Sequence, residues 1–307
     1  VARPLVSVLV PTYNGERFLD ETLLSVRRQS YRNLEILVRD DGSTDGTLEI
    51  AHQNAREDSR ITVIESEQNA GGRANYISLA KLATGEFIKY CNQDDLLHPN
   101  CVETFVAAFK ANSEVTLATS ARTLIDANGK ELPPTGYSTP MVQQDAILDG
   151  KKIVRYVILN TINQIGEPTT AMYRNGVVDP DDMFCFGGRQ ARLNGDVALW
   201  LKLLSQGDLS YTRAPQSSFR IHENQISTSI RARVYGALEW AYLLEIGLND
   251  GYISGKDYLD RIGQILGMVL NAAHQAALSK EPQVDGVVDE AADLAGRLLR
   301  LIKKAAE

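Results

Sequence analysis

Two pairs of adjacent carboxylates stand out in the first hundred residues, Asp40-Asp41 and Asp94-Asp95. Each follows a short apolar run, Leu34 to Val38 for the first and Glu86 to Cys91 for the second, so each is expected at the end of a β-strand. In a parallel sheet such ends converge on one edge. Four carboxylates gathered there repel one another unless a positive charge lies between them. A divalent cation meets that need, and hard carboxylate oxygens suit magnesium or manganese. The competing reading is that these aspartates form turns and cap helices, as Asp often does. A single pair would not separate the two readings; two pairs at matching positions favour chemistry.

The elements that must position these residues alternate along the chain. Leu5 to Val10 is a nearly continuous apolar run, as a strand covered on both faces requires. Leu19, Leu23 and Val26 then share one helical face. After Asp41, Leu48, Ala51 and Ala55 recur at helical spacing, with Ser43 or Thr44 as the expected N-cap. Ile61 to Glu65 reads as a third strand. The loop Asn69-Ala70-Gly71-Gly72 follows, then a helix with Ala74, Ile77 and Leu82 on its face, stopped near Gly85. Pro99 opens a helix whose core face is Val102, Phe105, Val106 and Phe109. This βαβαβαβα order predicts a parallel, doubly wound sheet with ligands at the carboxyl ends of its strands.

Beyond Val115 the regularity fades. Ala127-Asn128-Gly129-Lys130 is expected as a turn between two strands, and Pro133 to Gln144 as a long surface loop. Lys151 to Leu159 and Asp196 to Ser205 read as helices. From Arg231 onward the pattern is mostly helical, with breaks near Asn249-Asp250-Gly251 and Glu281-Pro282.

Composition narrows the function classes. In 307 residues, 39 acidic against 32 basic side chains leave a net charge of −7. That balance lacks the electrostatic footprint of a general nucleic-acid binder. An anionic ligand would need help from a metal or a helix N-terminus. Cys91, Cys101 and Cys185 form neither a zinc nor a redox motif, and three cannot all pair, which fits a reducing compartment. No apolar run approaches a membrane span, and the first residues lack a signal-peptide pattern. The expectation is a soluble, cytoplasmic chain.

Taken in order, these segments resemble the family 2 glycosyltransferases. Val8-Leu9-Val10-Pro11-Thr12-Tyr13-Asn14 is similar to the family's opening nucleotide-binding strand and turn. Val38-Arg39-Asp40-Asp41-Gly42-Ser43-Thr44-Asp45 resembles its base-recognition motif. Asn69, Gly71-Gly72 and Asn75 resemble the loop and helix that follow. Asn92-Gln93-Asp94-Asp95 is similar to its metal-binding Asp-x-Asp motif. The resemblance continues through Asn194-Gly195-Asp196, Leu199 to Leu203 and Arg220-Ile221-His222, and so covers roughly residues 5 to 230. It implies an α/β fold of the GT-A type. That is a Rossmann-like, mostly parallel sheet with flanking helices, an acceptor-side mixed segment and a C-terminal helical extension. The expected divisions are a nucleotide-sugar-binding half at 1–110, an acceptor-binding and catalytic half at 111–230, and helices at 231–307.

The resemblance also implies roles. The enzyme would move a sugar from a nucleotide-diphospho sugar to an acceptor hydroxyl by metal-assisted direct displacement with inversion. Asp95 would hold manganese or magnesium as a Lewis acid for the departing diphosphate, with Asp94 contacting the ribose or donor. Asp41 would hydrogen-bond the base, Tyr13 would stack on it, and Pro11 would supply adjoining backbone; uracil, thymine and guanine all remain open. Asn69 and Arg73 belong to the donor loop, and Arg73 and Lys89 either steer the phosphates or are ordinary bases. Asp196 would be the general base, with Gly195 standing where the family usually has Glu. His222 is a metal ligand, a diphosphate contact or a structural histidine.

Other residues admit plainer readings. Trp200, among Leu199, Leu201, Leu203 and Leu204, reads as core, and Asp196 can equally cap its helix. Arg220 reads as a surface or packing charge, and Glu167 as an acceptor contact. The acceptor is a saccharide, a lipid-linked glycan or a small molecule. At the C-terminus, Leu298, Leu299, Leu301 and Ile302 alternate with Arg297, Arg300, Lys303 and Lys304. Such a stripe suits contact with an anionic membrane at its inner face, a homodimer contact, or packing on the chain's own helices. A noncatalytic GT-A module that binds a nucleotide sugar or a partner protein is the alternative to an enzyme.

Overall fold

Strand β1, Val6–Thr12, is buried at all seven positions. Its side chains alternate between two faces, and both faces are covered. Val6, Val8 and Val10 join Leu19, Leu23 and Val26 of α1 (Leu19–Arg27) in one apolar cluster. On the opposite face α3 (Gly72–Leu82) packs against β1. The computed structural model describes residues 3–223, 230–279 and 285–306. They divide into two compact units. The first comprises Val1–Ile153, Asn163–Phe184 and Leu199–Ile221; the second comprises Val154–Ile162, Cys185–Ala198 and His222–Glu307.

The first unit is built on one sheet. The remaining strands of its parallel half are β2 (Leu34–Asp40), β3 (Ile61–Glu65) and β4 (Phe87–Tyr90), and α2 is Thr47–Glu57. The sheet continues with β5 (Leu96–Leu97), β6 (Val115–Ile125), β7 (Ala146–Leu148), β8 (Met172–Arg174) and, later in the chain, β11 (Asp208–Arg220). The order is β3-β2-β1-β4-β8-β6-β11-β5, with β7 beside β11. The four strands from β3 to β4 are mutually parallel. The three-residue β8 runs antiparallel to both β4 and β6. β6 and β11 are parallel, while β5 and β7 run antiparallel to β11. The expected parallel sheet is therefore present around β1, and the sheet is mixed beyond β4. The core also takes Val102, Phe105, Val106 and Phe109 from α4 (Cys101–Ala111). The rings of Phe87 and Phe109 stack 4.5 Å apart.

Chain order then adds α5 (Gly150–Asn160), β9 (Cys185–Phe186), β10 (Arg189–Gln190) and α6 (Gly195–Gln206). Helices α7 (Ile230–Asn249), α8 (Gly255–Ser279) and α9 (Asp285–Ala306) pack on one another in the second unit. The break after Asn249 falls where expected, with Gly251 at φ 77°; Glu281 and Pro282 lie outside the described residues. Leu298 is buried and Arg297 pairs with Glu245 at 3.2 Å, so that part of the basic stripe packs on its own helices. The side chains of Leu301, Ile302, Lys303 and Lys304 lie outside the described residues. Among the described residues no helix is long and apolar enough to cross a membrane.

Four local expectations differ from the structure. The N-cap of α2 is Gly46, neither Ser43 nor Thr44, and Asp45 Oδ1 accepts the Thr47 N–H at 3.1 Å. The buried face of α3 is Asn75, Leu79 and Ala80, and Leu82 is exposed. Pro99 precedes α4 rather than opening it, and Asn100 is the cap residue. The Asn128 turn returns to an isolated bridge between Ile125 and Glu131, not to a second strand.

Candidate active site

The carboxyl ends of β1, β2 and β4 meet on one edge of the first unit. Register pairs Thr12 with Asp40 and Leu9 with Tyr90, so the segments after these strands start side by side. Backbone bonds extend the alignment: Asp41 N–H donates to Thr12 O and Cys91 N–H to Leu9 O, each at 2.9 Å. The β1–α1 and β2–α2 loops are laced together. Asn14 N–H donates to Ser43 Oγ, Thr44 N–H to Asn14 Oδ1 and Gly15 N–H to Thr47 Oγ1, all within 2.9 Å. Asn14 has φ 48°, a conformation asparagine tolerates.

Tyr13 presents its ring on this edge, 43% exposed, while its backbone is fixed. The Gln93 amide clasps it from both sides, accepting Tyr13 N–H at 2.8 Å and donating to Tyr13 O at 3.0 Å. Gly15 leaves room for that amide, since a Cβ there would lie 2.4 Å from Gln93 Oε1. Pro11 is buried within β1, paired with Arg39. Asp41 is only 1% exposed. Its Oδ1 accepts from Arg39 Nη1 at 3.0 Å and Ala70 N–H at 3.2 Å; its Oδ2 accepts from Gly71 N–H at 2.9 Å. Asp41 thus organises the loop carrying Asn69 and Arg73, both exposed. Asn69 Oδ1 also accepts Gly71 N–H. Asp40 is buried and accepts Ser43 N–H and its hydroxyl.

Asp94 and Asp95 follow β4 with different surroundings. Asp94 is half-buried. Asp95 has no exposed surface: Thr169 Oγ1 donates to its Oδ2 at 2.6 Å and Arg220 N–H to its Oδ1 at 3.0 Å. Burial, with Asp94 and Glu167 nearby, pushes the Asp95 carboxyl well above the usual carboxylate range, against the pull of those donors. Arg220 is buried, not on the surface. Its Nε donates to Asp94 O and its Nη2 to Glu21, each at 2.7 Å, so it grips the Asp94-Asp95 corner through side chain and backbone. Lys89 is fully buried and donates to the carbonyls of Thr169 and Ala171, which removes it from any role in steering phosphate. Glu167 turns to Arg122 and Thr170.

Among the described residues no three His, Cys, Asp or Glu side chains gather as a metal cage. Magnesium or manganese on a phosphate substrate needs none, because one or two carboxylates suffice and the remaining oxygens come from phosphate and water. Asp94 fits as such a carboxylate; the Asp95 oxygens face Thr169 and Arg220.

Asp196 and His222 belong to the second unit. Asp196 lies in the first turn of α6, half-buried, and its Oδ1 accepts Val197 N–H at 2.8 Å. The start of this helix is held by Glu239 of α7, whose carboxylate accepts the N–H groups of Arg192, Leu193 and Asn194. His222 is half-buried, two residues past the end of β11. Trp200 is core, its indole N–H bonded to Gly166 O at 2.9 Å.

The sequence does not reveal what several of these residues bond. Asn75 is buried and ties two strands, donating to Thr12 O and Arg39 O at 3.2 Å and accepting from Arg39. Nothing in the sequence marked the Thr169 bond to Asp95, and Glu239 carried no signal at all. Gln93 stood within a recognised motif, but nothing marked its amide as the clasp on Tyr13.

The sheet, parallel around β1 and mixed beyond β4, with its functional loops at the carboxyl ends, is the GT-A fold of glycosyltransferases. Solved structures share it, among them the following two. S. aureus TarS 1–349 in complex with UDP-GlcNAc matches with TM-score 0.58 and 18% identity over 98% of this chain and 91% of that one. Mannosyltransferase PcManGT from Pyrobaculum calidifontis, in complex with GDP-Man and Mn2+, matches with TM-score 0.56 and 18% identity over 99% and 85%. The putative teichuronic acid biosynthesis glycosyltransferase TuaG of Bacillus subtilis is 25% identical over 228 residues, 74% of this chain and 83% of TuaG. The profile of Glycosyl transferase family 2 matches residues 7–179. The chain belongs to glycosyl transferase family 2 and is a glycosyltransferase.

Proposed function

We propose that this enzyme moves a sugar from a nucleotide-diphospho sugar to an acceptor hydroxyl by direct displacement, with inversion at the anomeric carbon. The observation that carries the reading is the shared edge after β1, β2 and β4, where an exposed Tyr13 ring, the Asp41 carboxylate and Asp94 gather. Tyr13 stacks on the base and Pro11 supplies adjoining backbone. Asp41 Oδ2, which accepts Gly71 N–H, keeps a lone pair for a base N–H. Asn69 and Arg73 meet the donor from the neighbouring loop. Asp94, rather than the enclosed Asp95, holds manganese or magnesium, and His222 adds a second protein ligand. When bound, the ion supplies Lewis-acid stabilisation to the departing diphosphate.

Asp196 accepts the proton of the acceptor hydroxyl as that oxygen bonds the anomeric carbon. The bond from this carbon to the diphosphate breaks, and its electron pair leaves with the nucleoside diphosphate. The name of TuaG supports a saccharide acceptor in polysaccharide assembly. UDP-GlcNAc and GDP-mannose are the donors to try first, since solved GT-A relatives carry them.

The test is Asp196→Asn. Donor affinity is expected to stay within about twofold, while donor turnover falls by about 10²–10⁴-fold; near-normal turnover would move the base role elsewhere. Gly195, where the family usually has Glu, is the one feature favouring a noncatalytic module. That reading predicts donor bound by the wild-type chain with no hydrolysis above background.

A further inference from the structure

Glu239 sits on α7 with 5% of its surface exposed. Its Oε1 accepts Arg192 N–H and Leu193 N–H (3.3 Å), and its Oε2 accepts Leu193 N–H at 3.2 Å and Asn194 N–H at 2.7 Å. Three successive backbone donors converging on one anion form a nest, a geometry that fixes the φ and ψ of every residue contributing to it. The rest of α7 reinforces the seat. Asn194 Nδ2 donates to Gly236 O at 3.4 Å, and Gly236 lets the segment approach, since a Cβ there would lie 3.0 Å from Leu193 Cδ2. The Arg192 guanidinium stacks over Tyr235 and pairs with Glu290 at 2.7 Å.

Enclosing a carboxylate costs free energy, and burial pushes the Glu239 carboxyl up despite its backbone donors. A buried charge is weak evidence for stability, since an apolar side chain would pack the same space at lower cost. What it fixes is where the next helix starts. Asn194 O accepts Ala198 N–H at 3.0 Å, which begins α6, and Asp196 lies in that first turn with its Oδ1 on Val197 N–H. Residue 195 is glycine, and the carboxylate that holds the segment leading into this turn comes from α7.

We propose that Glu239 is a positioning residue for Asp196. It aims the Asp196 carboxylate by locking residues 192–194, and it touches no substrate itself. This rests on the reading of Asp196 as general base. The working variant is Glu239→Gln, which keeps the volume but removes the charge and sets an amide NH2 against backbone donors. Amide hydrogen exchange at Val197 and Ala198 is expected to rise about tenfold or more, while Leu243 in the middle of α7 keeps its protection. Unchanged exchange at Val197 and Ala198 overturns the inference whatever the turnover.

Turnover is measured as nucleoside diphosphate released from UDP-GlcNAc and GDP-mannose with water as acceptor. In the Asp196 background, kcat is expected to fall roughly 10–100-fold with donor KM within about twofold. Glu239→Asp, which keeps the charge, is expected to recover part of the loss. In an Asp196→Asn background the same Glu239→Gln change is expected to add nothing further. Equal losses in both backgrounds overturn the positioning role while leaving the base intact. A near-normal Asp196→Asn single variant instead removes the base reading itself.

Discussion

Asp94 and Asp95 are chemically identical neighbours with different work. The Asp95 side chain is enclosed and joins β11 to the turn at Thr169, whereas Asp94 stays half-buried with its backbone carbonyl held by Arg220. Replacing Asp95 by Ala orphans the Thr169 hydroxyl and the Arg220 N–H in a site closed to water. The expected loss is about 1–3 kcal/mol in a urea titration; an unchanged midpoint would mean that water or a shifted loop re-satisfies both donors. The paired acids themselves were legible, because carboxylates at two strand ends are visible as types and spacing. The bonds made by Asn75, Gln93 and Thr169 were not. An amide or hydroxyl that bonds backbone 36 to 80 positions away leaves no periodic trace. Lys89 misled for a related reason: a lysine that ends on two carbonyls reads in sequence as any other base.

The helices and strands divide the same way. The α4 stripe of Val102, Phe105, Val106 and Phe109 was readable because apolar burial follows the 3.6-residue period, and all four are buried. Removing the centre of that stripe with Phe105→Ala should cost about 3–5 kcal/mol of stability. A chemical denaturation midpoint near wild type would show the core refilling the space. On α3 the apolar pattern missed part of the buried face, because the helix buries Asn75 to tie β1 to β2 and leaves Leu82 in solvent. Polar burial for a structural bond is what apolar periodicity cannot register. The eleven-residue β6 and the thirteen-residue β11 were also missed as long elements. Their runs of Thr, Ser and Arg are buried but not apolar, and that buried polar strand is what carries Arg220 to Asp94 and Asp95.

Over the whole chain, acid changes the balance of stability through carboxylates that donors hold below their usual range. Arg60 holds Asp58 below the usual range. Burial alone would raise Glu35 and Asp45, but donors from Ser7, Thr84 and Gly85 for the first, and from Thr47 and Glu16 for the second, outweigh it. A depressed native pKa contributes stability that is present above the unfolded pKa and lost as pH falls through the native one. Tm should therefore drop as pH is lowered below about 4, and Glu35→Gln should blunt the drop; a flat Tm from pH 5 to 3 would contradict those assignments. The central claim is that the edge after β1, β2 and β4 holds a nucleoside diphosphate together with a divalent cation on Asp94. Calorimetric titration of UDP and GDP, with and without manganese, into wild type and Asp94→Ala tests it most directly. Manganese should tighten one of the two nucleotides at least about tenfold in wild type, a gain of about 1.4 kcal/mol, and leave Asp94→Ala unaffected. Neither nucleotide binding, or an equal gain from manganese in both proteins, would contradict it.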